Sequence, residues 1–149
     1  MSPIAVSLVA WSGVFAYVAA YYGVLHALRR QPEYRIFAGL CASLALFSAA
    51  SAFTMDAASP ADAAVAQMLQ VFGLLPALAL FTDFVLRISA EPRPRLMRLL
   101  HAWTVVGVVA AAAGLFFDPA VPDPVYDWSI GSPTDRAIAE LRPLGMLLI

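Results

Sequence analysis

Four apolar runs, Ile4–Leu28, Ile36–Met55, Ala63–Leu86 and Leu99–Phe117, are each close to the length at which a helix crosses the hydrocarbon core of a bilayer. A helix rises ~1.5 Å per residue, so roughly 20 residues span that core, and the helix bonds every backbone N–H and C=O internally where no water can. The expected fold class is therefore all-α, a polytopic transmembrane helix bundle with four complete spans and a single transmembrane domain over residues 1–149. A further apolar run starts near Ala137, and the chain ends inside it at Ile149. This predicts the start of a fifth span, over 137–149, and a sequence that is the front part of something longer. Composition excludes a water-soluble domain, which would carry about 25% charged residues, because this chain has 13% charged and 62% hydrophobic residues.

The linkers alternate in character. Arg29, Arg30 and Arg35 lie in the first and Arg87, Arg93, Arg95 and Arg98 in the third, whereas the second is acidic and the segment 118–136 is acidic and proline-rich. Excess arginine marks the cytoplasmic side, so the N-terminus, the Asp56–Asp62 linker and the segment 118–136 are expected outside. The first run is a retained helix, not a cleaved signal peptide: no basic region precedes it, and it ends in Arg29 and Arg30. The single cysteine, Cys41, lies within the second run and allows neither a disulfide framework nor a thiolate metal cluster.

Along the first helix, Trp11, Phe15, Val18 and Tyr22 share a face at 3.6 residues per turn, and Ala16, Ala20, Ala19 and Gly23 offer small-residue spacing for a close neighbour. Such a face serves helix packing or lines an aromatic pocket for a flat or hydrophobic ligand. The alanine- and serine-rich second helix suits a bundle interior, its serines returning hydrogen bonds to carbonyls one turn earlier. Gly73 and Pro76 mark a bend or a flexing point in the third helix, since proline removes an intrahelical bond. In the fourth helix, Gly107 with Ala111 and Ala110 with Gly114 again have the spacing of close crossings. In the segment 118–136, four prolines forbid a long helix while Val125, Tyr126, Trp128 and Ile130 are too apolar for a solvated loop. An ordered cap on the outer membrane surface is expected, with Tyr126 and Trp128 as interfacial anchors or as the lid over a ligand. The candidate ligand-binding set is Trp11, Tyr22, Tyr126 and Trp128.

Ionisable residues at bilayer depth are few. Asp83 precedes Arg87 by four residues, which places both on one helix face as a structural ion pair at the membrane edge, or as a proton- or cation-linked site. His26 and His101 fall at similar depth at the inner ends of helices one and four. Imidazoles at one level are weak candidates for a metal or haem, without other ligands nearby. Gln67 and Gln70 are expected to be wetted ends of helix three. No phosphate-binding glycine loop and no serine, histidine and aspartate set for nucleophilic catalysis is present, so neither enzyme chemistry nor a cofactor is expected. The basic linkers lack interleaved aromatics for base stacking, which argues against nucleic acid and for anionic lipid headgroups of the bilayer as partners.

The stretch RQPEYRIFAGLCASLALFSAASAF, followed after an acidic gap by AVAQMLQVFGLLPALALFTDFVLRI, resembles the N-terminal multi-helix membrane region of bacterial sensor histidine kinases and related cyclase-bearing signalling proteins. The likeness spans roughly residues 25–90. It implies a seven-helix input domain in the bacterial cytoplasmic (inner) membrane, with its N-terminus outside and a cytoplasmic signalling module downstream, as in two-component systems. No phosphoacceptor histidine motif is carried over to His26 or His101. The expected function is a membrane-embedded sensory or regulatory input domain, non-catalytic in this portion, acting as a homodimer. The alternative is an accessory or structural subunit of a larger membrane complex.

Overall fold

The computed structural model describes residues 2–57, 59–89, 93–127, 132–134 and 136–141. Four helices follow one another, α1 Pro3–Arg29, α2 Pro32–Met55, α3 Pro60–Ile88 and α4 Pro94–Ala112, and all four are long and apolar enough to cross a membrane. Each opens on a proline, whose missing N–H would have no partner in a first turn and whose φ is already helical. The Ser2 Oγ accepts the Ala5 N–H at 3.1 Å and the Ser59 Oγ accepts the Asp62 N–H at 3.2 Å, capping α1 and α3. Helix starts are thus set by proline and serine caps ahead of the apolar runs, most visibly at Pro32 and Pro94.

The end of α4 corrects the span expected to reach Phe117. Gly114 takes φ +69°, its N–H bonds the Ala111 carbonyl at 2.9 Å, and the Leu115 N–H bonds the Ala110 carbonyl at 3.0 Å. That pair of bonds is a Schellman stop, which closes the helix on a left-handed glycine. Gly114 is therefore a terminator and not a crossing residue; a Cβ placed on it would meet nothing within 4 Å.

Among the described residues the helices pack in chain order, α1 on α2, α2 on α3 and α3 on α4. α2 and α3 come closest at Gly73, where a Cβ would lie 2.6 Å from the Phe47 nitrogen and 2.8 Å from the Ser43 oxygen. Only glycine allows two backbones this near, so Gly73 fixes the crossing; α3 itself runs unbroken through Pro76. Val71 and Leu75 of α3 enclose a small core with Ala111 and Phe116, and Leu75 also fills the space that a side chain at Gly107 would need. On α1 the outcome differs from expectation. Ala5, Leu8, Ser12, Phe15, Ala19 and Tyr22 form its covered stripe, and Ala16, Ala20 and Gly23 point away from the bundle.

Residues 117–141 add to the helices a three-stranded antiparallel sheet, β1 Phe117–Asp127, β2 Ser132–Thr134 and β3 Arg136–Leu141, ordered β2-β1-β3. The segment expected to be ordered without a long helix thus contributes strands, and β1 and β3 lie against α3. Proline favours extended backbone but cannot donate to a ladder. The register of β1 with β3 slips between Asp118 and Pro122, and among the described residues β2 pairs with β1 at Tyr126 and Asp127. A helix was expected from Ala137. The structure corrects this for residues 137–141, which pair with β1 through Ala137 to Pro124 and Ala139 to Pro122. Glu140 interrupts the apolar run there, and a helix begun at Ala137 would have to carry Pro143 in its second turn. Residues 142–149 lie outside the described residues.

Candidate functional site

At the arginine-rich end of the bundle, α1 and α2 turn sharply through Arg30, whose φ is +52° and whose N–H bonds the His26 carbonyl at 2.7 Å. The His26 ring closes the same turn, with Nδ1 at 2.9 Å from the Gln31 carbonyl oxygen. A carbonyl only accepts, so Nδ1 carries the proton. His101 makes the equivalent bond one turn back on its own helix, from Nδ1 to the Met97 carbonyl at 2.7 Å. The two histidines that sequence placed at one level stand on helices that are not neighbours in the chain-order packing, and each spends a ring nitrogen on backbone. Among the described residues no group of three or more His, Cys, Asp or Glu is placed to hold a metal ion.

Above this turn, a chain of aromatic rings ties three helices together. Tyr22 of α1 meets Tyr34 at 5.8 Å and Phe37 at 4.6 Å on α2, edge to face, and Phe37 meets Phe84 of α3 at 5.2 Å. Edge-to-face geometry places the positive rim of one ring on the negative face of the next. Tyr22 is thus part of a ring cluster that sequence reasoning had only half seen, since Tyr34, Phe37 and Phe84 lie on other helices. Trp11 is not part of it: it is 58% exposed and meets the Phe15 ring at 5.9 Å. The reason lies at Ser12, whose Oγ donates to the Ala45 carbonyl at 2.9 Å and so turns that residue, not Trp11, toward α2.

Phe84 leads to the Asp83 and Arg87 pair. Arg87 Nε donates to Asp83 Oδ1 at 2.9 Å along the helix face. The pair forms one wall of a cleft of about 460 Å³ between the end of α3 and the start of α4. Arg93, Arg98 and His101 form the other wall, over an apolar floor of Leu86 and Met97. Sequence reasoning treated these arginines as markers of topology and as partners of lipid headgroups, without joining them into one cleft. Their spacing held the missed signal, because Arg98 and His101, three apart, share a face of α4 next to the turn that returns from Arg87.

The opposite end contradicts the reading of Gln67 and Gln70 as wetted. Gln67 is 8% exposed, and its Oε1 is buried without a hydrogen-bond partner among the described residues. Gln70 Nε2 donates to Thr54 Oγ1 at 2.9 Å, and that hydroxyl donates onward to the Ala50 carbonyl at 3.0 Å. Gln67 and Gln70, three residues apart on α3, therefore present a polar patch inside the bundle. Beside it, a second cleft of about 430 Å³ lies between α2 and α3, lined by Phe53, Asp56, Asp62, Val65 and Leu69 among others. Of the expected lid residues, Tyr126 sits in β1 opposite Pro133, and Trp128 lies outside the described residues.

No curated protein and no solved structure matches this chain. Its residues 5–132 match the family described as 7TM diverse intracellular signalling, the seven-transmembrane region of such proteins, which takes in all four helices, β1 and the start of β2. With four membrane-length helices in sequential antiparallel packing, and a match over most of its length, the chain is a multi-pass membrane protein that belongs to the 7TM diverse intracellular signalling family.

Proposed function

We propose that this domain is the sensory input of a bacterial signalling protein in the cytoplasmic membrane, with its arginine-rich end at the cytoplasm and its acidic end outside. The observation that carries the reading is the family match over residues 5–132, because the family is one of membrane regions in signalling proteins. A ligand arriving from outside or within the bilayer engages the acidic end, where the Gln67 carbonyl oxygen offers an unmet acceptor beside the Gln70 and Thr54 bond. An unmet buried amide costs free energy that a donor on a ligand recovers. Binding there shifts α3 against α2 about the Gly73 crossing, and the aromatic chain from Phe84 to Tyr22 carries the shift to α1. The complete reading frame tests this: continuation into a cytoplasmic signalling module is the expected result, and a stop near Ile149 overturns it.

A second reading, an accessory subunit of a larger membrane complex, draws support from the outward face of α1, where Gly13 and Gly23 meet nothing within 4 Å. Small residues on an open face suit a further helix. Purification in mild detergent separates the two: stoichiometric recovery with a respiratory, photosynthetic or transport complex favours the subunit, and a homodimer favours the sensor.

A further inference from the structure

We propose that the cleft between α3 and α4 is a specific site for a phosphate-bearing anion, occupied by the headgroup of an anionic membrane lipid. Among the described residues that line it are three arginines, Arg87, Arg93 and Arg98, and one carboxylate, Asp83. Asp83 is engaged by Arg87 at 2.9 Å, whereas Arg98 on α4 meets no carboxylate among the described residues. There Arg98 spends its Nε on the Pro94 carbonyl in a long 3.4 Å contact, and its terminal nitrogens have the fork geometry that grips phosphate oxygens in pairs. The start of α4 adds to this field. No side chain caps it, so the positive end of the helix dipole is left at the turn where Arg93 and Pro94 line the cleft.

The apolar floor decides the source of the phosphate. Leu86 and Met97 lie under the arginines, at the level where α3 and α4 pass from apolar to arginine-rich sequence. A lipid places its phosphate on the arginines and its glycerol and upper acyl carbons on that floor, whereas a free phosphate uses the arginines alone. The site differs from general attraction of basic linkers to an anionic surface, because it singles out residues. Arg95 lies on the same turn of α4 and does not line the cleft. The proposal does not depend on which signal the domain reads.

The test uses the full-length protein in detergent, with native mass spectrometry to count retained lipids and thermal unfolding to read stabilisation. Phosphatidylglycerol is expected to bind and raise the melting temperature, and phosphatidylcholine to do neither. Arg98→Gln should weaken phosphatidylglycerol binding roughly tenfold, as expected for loss of a charge-assisted bond. Arg98→Lys, which keeps the charge and loses the fork, should fall between Arg98→Gln and the wild type. Arg95→Gln should bind as the wild type does. Equal loss in the Arg95 and Arg98 variants, or equal binding of both lipids, overturns the proposal. Millimolar inorganic phosphate that stabilises the lipid-free protein as much as phosphatidylglycerol does would reassign the site to a soluble phosphate compound and overturn the lipid assignment. Helical circular dichroism checks that each variant is folded before its binding is scored.

Discussion

Gln67 and Asp83 are both polar side chains on α3, and they ask for opposite experiments. The Gln67 oxygen is buried without a partner among the described residues, so Gln67→Leu removes an unmet group and keeps most of the volume. Unfolding in detergent should show a gain of about 1–3 kcal/mol, the cost of a buried unsatisfied group. If the amide receives a ligand, the same variant should lose its signalling response while its stability rises. A residue kept only for packing would not separate the two readouts. Asp83 is bonded, but its partner Arg87 has a side chain 43% exposed, and exposed ion pairs contribute little. Asp83→Asn should therefore cost about 0–1 kcal/mol in the same unfolding assay. Loss of all signalling with the fold intact would overturn its structural reading. The pairing of Asp83 with Arg87 was legible from spacing alone, because both groups lie on one helix. The burial of Gln67 was not, because it depends on how α3 sits against its neighbours.

Element ends and element crossings obeyed different rules. Apolarity located all four helices, but their starts at Pro3, Pro32, Pro60 and Pro94 follow from N-terminal proline chemistry, and the end of α4 follows from the left-handed Gly114. Those signals were present in the sequence and were masked by the breadth of the apolar runs. Crossings were harder to read, since glycines of similar spacing have unlike surroundings. Gly73 faces the backbone of Ser43 and Phe47 within 2.9 Å, whereas Gly13 and Gly23 face nothing within 4 Å. Gly73→Ala forces two helix backbones apart and should cost about 1–3 kcal/mol, in the range of an overpacked core. Gly13→Ala should be neutral or stabilising by up to about 1 kcal/mol, through better helix propensity. Thermal unfolding of the two variants side by side checks the contrast; equal effects would show that the α2 and α3 crossing does not depend on Gly73. The sheet over 117–141 was legible only as a segment that could not be helical. Its pairing joins residues far enough apart in sequence that no local pattern encodes the register.

For the whole molecule, orientation governs every functional reading, because it decides which end meets a ligand and which meets lipid phosphate or a signalling partner. Charge is divided between the two ends: Arg29, Arg30 and Arg35 flank one turn and Arg87, Arg93, Arg95 and Arg98 the other, with Asp56 and Asp62 at the opposite end. Moving arginine across a bilayer during insertion is costly, which is why such loops stay at the cytoplasm. The fold is consistent with two like ends, since the Ser2 N–H meets Asp56 Oδ1 at 3.3 Å and so places the start of α1 beside the end of α2. Cys41 is the one native thiol and is buried, so a Cys41→Ala background leaves introduced thiols as the only reporters. Labelled in whole cells with a membrane-impermeant reagent, Ser59→Cys should react at once. Gln31→Cys and Pro94→Cys should react only after permeabilisation, because both sit in arginine-rich turns. The opposite pattern would invert the molecule, placing the Gln67 end at the cytoplasm and the arginine cleft outside, and would remove the route by which an external ligand reaches the acidic end.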